Sequence, residues 1–300
     1  HKFAANSATS KILNIEIQVG RTGALTPVAK IKPVNIGGVV VSNATLHNED
    51  EINRKDMRVN DTVVIERAGD VIPHVVSVDI SKRPANSKKF RFPEKCPSCG
   101  SETVKEFNTT TKKKDAVRRC TSQGFDCEKM SIEKLKHFVS KEAFNIDGLG
   151  KKVIEQFWCL DIVKEPSDIF SINYKKIEKL EGWGDLSINN LKNAIEKSRN
   201  INLDKLIYSI GIRHIGQENA KIIASFFGSI EKFKKIFDLE FRKQINASLL
   251  ELDGIGETQV NSINNFFLNK TNLKITNNLI QELKINDYVS NVKSGLFSNK

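Results

Sequence analysis

No apolar run in these 300 residues approaches the roughly 20 needed to span a bilayer, and no secretory signal opens the chain. A protein that does not enter a membrane, in a reducing cytoplasm, is expected. Cysteine is sparse, five in all; without a secretory signal this favours metal ligation or free thiols over a disulfide framework. Acidic residues are outnumbered, 36 against 47 Lys and Arg, for a net charge of +11. That balance suits a polyanionic partner, but abundant Lys, Asn and Ile would equally follow from genomic base composition. Charge therefore needs support from motifs. Hydrophobic content of 39% suits a globular chain, and 300 residues exceed what one compact core usually accommodates, so two or more domains are expected.

Four of the cysteines form two pairs, Cys96 with Cys99 and Cys120 with Cys127. A Cys-x-x-Cys turn presents two thiolates to one metal, and zinc takes four such ligands in a tetrahedron. Pro97 and Gly100 suit the tight turn, and the 20 residues between Cys99 and Cys120 allow a hairpin that returns the second pair. That second pair is wider than in a zinc ribbon, with six residues between its members. Lys112, Lys113, Lys114, Arg118 and Arg119 lie between the pairs, a basic surface suited to phosphate. With four thiolates no ligand position is open, so the role is structural. Cys159 sits in an apolar helical stretch and reads as a core residue.

Ahead of the cysteines the pattern is that of strands. Residues Leu13 to Val19 alternate apolar and polar, and further strands are expected at 25–34, 38–46, 62–66 and 71–80, with a short helix at 49–55. Five strands with one helix before the fourth match an OB-fold, although pattern alone leaves other small barrels open. After the cysteines the period becomes helical. Ile132, Leu135, Phe138 and Val139 share a face, with Ser131 as the N-cap.

A unit then recurs: an apolar residue, a short turn ending in glycine, and an amphipathic helix. Its copies carry Gly148 and Gly150, Gly182 and Gly184, His214 and Gly216, and Gly254 and Gly256. Each is followed by an apolar pair: Ile154 and Phe157, Ile188 and Leu191, Ala220 and Ile223, Val260 and Ile263. This is the helix-hairpin-helix pattern, used as an array. Its glycines admit close approach of a ligand backbone, and the helix after the second glycine offers free N–H groups to DNA phosphate. Lys151 and Lys152 favour contact in the first copy. The third has His214 in place of the first glycine and reads as mainly structural, with Arg213 still able to reach phosphate. His214 is expected to be a hydrogen-bonded turn residue and Trp183 a packing residue.

Three strings, Gln18-Val19-Gly20-Arg21-Thr22-Gly23, Val41 through Asn48 (VSNATLHN) and Arg67-Ala68-Gly69-Asp70-Val71-Ile72-Pro73, resemble the OB domain of bacterial NAD-dependent DNA ligases. The resemblance implies that Arg21, Thr22, Arg67, Val71 and Ile72 engage DNA around a nick. It further implies zinc at Cys96, Cys99, Cys120 and Cys127, since the family carries a finger with a widely spaced second pair. His1-Lys2-Phe3-Ala4-Ala5 is similar to the last lysine motif of the family's nucleotidyltransferase domain, with Ala4 for the usual proline, and would place Lys2 against the AMP phosphate.

The Lys-x-Asp-Gly context of the nucleophilic lysine occurs nowhere in the 300 residues. The chain therefore looks like the C-terminal portion of a ligase, inactive by itself. The implied organisation is multidomain: residues 1–5 end the nucleotidyltransferase domain, 6–82 form an all-β OB-fold barrel, and 92–128 the zinc finger. Residues 129–285 form the all-α helix-hairpin-helix array, and 286–300 a linker towards a BRCT domain not present here. The parent would seal nicks with NAD as adenylate donor and Mg2+ or Mn2+ in attendance. This segment, a monomer, would bind nicked double-stranded DNA. The alternatives are a non-catalytic nick- or junction-binding repair protein and the DNA-binding half of a repair nuclease, against which the Arg21-Thr22 and Arg67 strings speak.

Overall fold

The computed structural model describes residues 6–67, 72–108 and 112–289. Lys2 and Val71, and the linker from residue 290 onward, lie outside them. The chain divides into two compact units, one of His1–Ser122 with Cys127–Met130, the other of Gln123–Asp126 with Ser131–Lys300.

The first unit is built on a closed five-stranded barrel. Its strands are β1 (Asn6–Val19), β2 (Leu25–Ile36), β3 (Val39–Thr45), β4 (Thr62–Arg67) and β5 (His74–Asp79), in the order β1-β2-β3-β5-β4, with helix α1 (Glu49–Lys55) before β4. Pairing is antiparallel except where Thr45 meets His74 in parallel, and β4 returns to β1 with Arg67 opposite Asn6. Ile12, Ile31, Leu46, Val63, Ile65 and Val75 fill the interior. The strand expected from Leu13 begins earlier. A bulge between Ile12 and Asn14 switches the inward face, burying Ile12 on one side and Ile15 and Val19 on the other, and turning Leu13 out. Helix α1 is fixed by local chemistry: Asn48 accepts from the Glu51 amide at 2.9 Å, Glu49, Asp50 and Glu51 occupy the first turn, and Arg54 and Lys55 the last.

After the barrel, Arg83 donates to both oxygens of the fully buried Asp61, at 2.8 and 2.9 Å, and to Asp56 at 2.6 Å. The buried Asp61 carboxylate is satisfied by the guanidinium fork on both its oxygens and by the Arg58 amide, which donates to Oδ2 at 2.8 Å. Strands β6 (Thr103–Asn108) and β7 (Lys113–Cys120) then form a separate hairpin.

The second unit is helical. After α2 (Glu128–Phe138) come α3 (Lys151–Cys159), α4 (Tyr174–Ile177), α5 (Asp185–Ser198), strand β8 (Asn200–Asn202), α6 (Leu203–Ser209) and α7 (Gln217–Phe227). Next are α8 (Ile230–Lys234), α9 (Leu239–Leu250), α10 (Glu257–Leu268), α11 (Lys270–Gln281) and β9 (Lys284–Asn286), which pairs in parallel with β8. One continuous core runs through it, including every apolar pair read from the repeat: Ile154 and Phe157, Ile188 and Leu191, Ala220 and Ile223, Val260 and Ile263. No helix among the described residues is long and apolar enough to cross a membrane.

Two expectations need correction. Helix α2 starts at Glu128, so Ser131 is not its cap; the buried Ser131 hydroxyl donates instead to the Phe125 carbonyl at 2.8 Å. Cys159 is exposed. Helix α3 turns Ile154, Phe157 and Trp158 into the core, and the residue after Trp158 falls on the outer face.

Candidate metal centre and nucleic-acid interface

The cysteines come together as their spacing implied. The Cys96–Gly100 turn is closed by the Gly100 amide on the Cys96 carbonyl at 2.9 Å, with Gly100 at φ 74°, the left-handed region that glycine enters without strain. The β6–β7 hairpin sets Cys120 opposite Thr103, and Cys127 immediately precedes α2. The four sulfurs lie within 4.8 Å of one another, with Cys96 Sγ 3.9 Å from Cys127 Sγ and Cys99 Sγ 3.5 Å from Cys120 Sγ. Ligands at about 2.3 Å around a tetrahedral zinc stand about 3.8 Å apart, whereas a disulfide requires about 2.05 Å. The geometry is that of a metal cage.

Burial pushes the Cys120 and Cys127 thiols up. At Cys99 burial acts the same way but is outweighed by hydrogen bonding with Ser101, Cys120 and Cys96, which takes it down to about 6. Four thiolates in so small a volume repel one another unless a cation sits among them. The donor set, all sulfur and fourfold, fits zinc.

The basic stretch between the pairs splits into two roles. Lys112, Lys113 and Lys114 are exposed. Arg118 pairs with Glu49 at 3.2 Å, beside Lys105, which reaches Asp50 at 2.6 Å and Glu49 at 3.0 Å. These ion pairs seat the hairpin against α1 rather than present charge to a ligand. Gly23 explains a further part of the fit. Its φ is 77°, and a Cβ there would stand 3.0 Å from the Cys120 carbonyl oxygen.

On the barrel, Arg21 and Thr22 occupy the turn between β1 and β2, closed by the Gly23 amide on the Gly20 carbonyl at 2.9 Å. Both are half-buried. Arg67 ends β4 opposite Asn6, so the two arginines stand at opposite ends of β1. Ile72 is 71% exposed and so lies outside the barrel core. Sequence inspection missed a neighbouring cleft of about 410 Å³ lined by His47, Asn48, Glu51, Arg54, Lys55 and His74. Its two imidazoles meet edge to face with centroids 5.5 Å apart. Burial first, and His74 second, hold His47 below the usual imidazole range.

In the helical unit the four hairpins share one backbone conformation. Gly148, Gly182 and Gly254 have φ of 90°, 85° and 87°, and His214 takes the equivalent position at 63°. The third copy thus keeps the turn without the glycine, as a hydrogen-bonded turn residue whose carbonyl accepts from Asn219 at 3.2 Å. The second glycines are different. Gly150, Gly184, Gly216 and Gly256 are N-caps of α3, α5, α7 and α10 with φ of −67°, −98°, −85° and −114°, open to any residue, and no side-chain cap is formed at the first three. A Cβ on Gly150, Gly184 or Gly216 would meet nothing within 4 Å. At these three positions neither φ nor a neighbouring atom demands glycine, which is favoured over alanine there only as an N-cap.

The first turns rank the copies. Helix α3 carries Lys151 and Lys152 and no acid, while α5, α7 and α10 carry Asp185, Glu218 and Glu257, which oppose an anion. In the fourth copy the Gly256 amide already donates to Gln259 Oε1 at 3.1 Å. Arg213 is half-buried beside its hairpin, and Trp183 packs on Phe157 with centroids 5.5 Å apart.

An OB-like barrel, a four-cysteine cluster and a helix-hairpin-helix region in one chain define a multidomain architecture of the kind found among DNA-joining proteins. The family described as NAD-dependent DNA ligase OB-fold domain matches residues 9–87, and the helix-hairpin-helix motif matches residues 205–276. The chain is 65% identical over 300 residues to a DNA ligase of Pelagibacter ubique, covering 100% of this chain and 44% of the relative. It is 47% identical over 287 residues to a DNA ligase of Parvibaculum lavamentivorans (93% and 40%). Against that of Nitrobacter winogradskyi it is 44% identical over 310 residues (95% and 42%). The chain is similar to the C-terminal part of NAD-dependent DNA ligases and spans less than half the length of the curated relatives it matches.

Proposed function

We propose that these residues form the nick-gripping portion of an NAD-dependent DNA ligase. In this proposal the barrel meets the duplex through Arg21, Thr22, Arg67, Val71 and Ile72. The helical unit holds phosphates at Gly148–Lys151, Gly182–Gly184, Arg213–Gly216 and Gly254–Gly256, with the first hairpin strongest. The observation that carries it is the set of second glycines, whose φ values demand no glycine and whose missing Cβ would meet no neighbour at three of the four positions. Contacts of this kind read the backbone and not the bases, as a protein acting at nicks of any sequence requires.

Zinc is proposed at Cys96, Cys99, Cys120 and Cys127, where it would tie the Cys-x-x-Cys turn to the far end of the β6–β7 hairpin. Sealing itself is proposed for the whole protein: transfer of adenylate from NAD to a lysine, then to the 5′-phosphate, then attack by the 3′-hydroxyl, with Mg2+ or Mn2+ present. The 300 residues hold no Lys-x-Asp-Gly string, so the nucleophile would come from elsewhere in the parent, with Lys2 beside the AMP phosphate. A competition experiment tests the binding role: labelled nicked duplex on the chain, displaced by unlabelled nicked or intact duplex. Preferential displacement by nicked DNA is expected. Equal displacement by the two would leave a general duplex binder.

A further inference from the structure

We propose that Arg119, on the zinc-binding hairpin, is a positioning residue that presents the Thr22 hydroxyl as a hydrogen-bond donor to a DNA phosphate oxygen. The proposal rests on the reading that the turn from Gly20 to Ala24 touches DNA. Strand β7 docks directly on that turn: Ala24 and Arg119 form an antiparallel bridge, and the Cys120 amide donates to the Gly23 carbonyl at 2.9 Å. Gly23 is held at φ 77° with no room for a Cβ beside Cys120. From this strand Arg119 Nη1 donates to Thr22 Oγ1 at 3.2 Å, while Nη2 reaches Asp115 Oδ2 at 3.2 Å.

A guanidinium only donates, whereas a hydroxyl has one proton and two lone pairs. With a lone pair of Thr22 Oγ1 taken by Arg119, the hydroxyl proton is directed away from the hairpin, and the positive charge behind the oxygen strengthens it as a donor. The Arg119 side chain is only 14% exposed, and its Nε is buried with no acceptor among the described residues. A guanidinium enclosed in this way gives up part of its own hydrogen bonding and is poorly placed to meet a phosphate itself. It acts through Thr22, whose own side chain remains partly open to solvent.

The test is a double-variant cycle on the 300-residue chain, using a fluorescent nicked duplex at several salt concentrations. Bound zinc and the denaturation midpoint are measured for each protein. Thr22→Val and Arg119→Met should each weaken binding about tenfold. The double variant should bind no more weakly than Thr22→Val, and the slope of log affinity against log salt should stay as in the parent. If Arg119→Met fails to hold zinc, Arg119→Lys takes its place in the same cycle with the same expectations. Additive losses would overturn the proposal. So would a slope shallower by about 0.9 in the Arg119 variant, because that is the mark of a direct phosphate contact. Normal binding by both Thr22→Val and Arg21→Ala would instead sink the underlying reading of the turn as a DNA contact, and the proposal with it.

Discussion

Within one hairpin the two glycines should respond in opposite ways to the same substitution. Gly150 sits at φ −67° and ψ 168°, and a methyl group added there would have nothing within 4 Å, so alanine fits without strain. Restricting the unfolded chain gains about 0.4–1 kcal/mol, and the poorer N-cap preference of alanine costs a similar amount. The net change should be within about 0.5 kcal/mol of zero. Gly148 is the reverse: at φ 90°, with a Cβ 3.4 Å from Leu191 Cδ1, alanine is forced into a sparsely populated region at a cost of about 1–3 kcal/mol. For a unit of this size that is about 2–4 °C in Tm per kcal/mol. Binding should fall about tenfold in Gly150→Ala, since the methyl group occupies the path of an approaching phosphate and about 1.4 kcal/mol corresponds to that factor. Urea denaturation and fluorescence anisotropy with nicked duplex measure the two quantities on the same samples. Gly150→Ala with unchanged stability and unchanged binding would refute the claim that its glycine serves a ligand.

Other expectations follow from the barrel and the cysteines. Arg83→Met should destabilise the first unit by about 3–5 kcal/mol, because Asp61 is left buried without its fork partner; chemical denaturation followed on the barrel checks this. The Arg58 guanidinium, assisted by Arg83, holds the Asp56 carboxyl at about 2, below an unfolded value of about 3.9. Its contribution is complete above that unfolded value and disappears as pH falls towards about 2. Asp56→Asn, which tolerates the left-handed position at φ 46°, should therefore flatten the acid limb of the stability curve, as read by denaturation between about pH 5 and pH 2. A thiol reagent should label Cys159 alone in the zinc-loaded protein, and the remaining cysteines only after strong chelation. Metal analysis that finds no zinc, with all cysteines reacting together, would contradict the cage.

Much of this was legible in the sequence because short-range rules dominate where it was legible. The four hairpins follow from glycine spacing and from apolar pairs that one helical face must bury, and all of those pairs are in the core. Helix α1 was readable to its ends because Asn48, the acidic first turn and the basic last turn specify it locally. Leu13 was misjudged because a bulge is decided by pairing with a partner strand, which alternation alone does not encode. Cys159 looked internal because hydropathy gives no direction around a helix when Trp158 precedes it. The long-range polar contacts were invisible: Arg83 with Asp61, Arg118 with Glu49 and Arg119 with Thr22 join residues 22, 69 and 97 positions apart. In the linear chain Arg118 and Arg119 read as part of a basic surface suited to phosphate. Folding spends Arg118 on docking and encloses Arg119 behind Thr22.

The proposed grip on the DNA backbone is measured most directly by the salt dependence of binding to nicked duplex. Each phosphate neutralised by Lys or Arg contributes about 0.9 to the slope of log affinity against log salt. With Arg21, Arg67, Lys151 and Lys152 at the duplex the slope should be steep, and affinity should fall by orders of magnitude between about 50 and 200 mM salt. Lys151→Ala and Arg67→Ala should each reduce the slope by about one contact. An affinity that is flat across that range would rule out a grip through phosphate contacts.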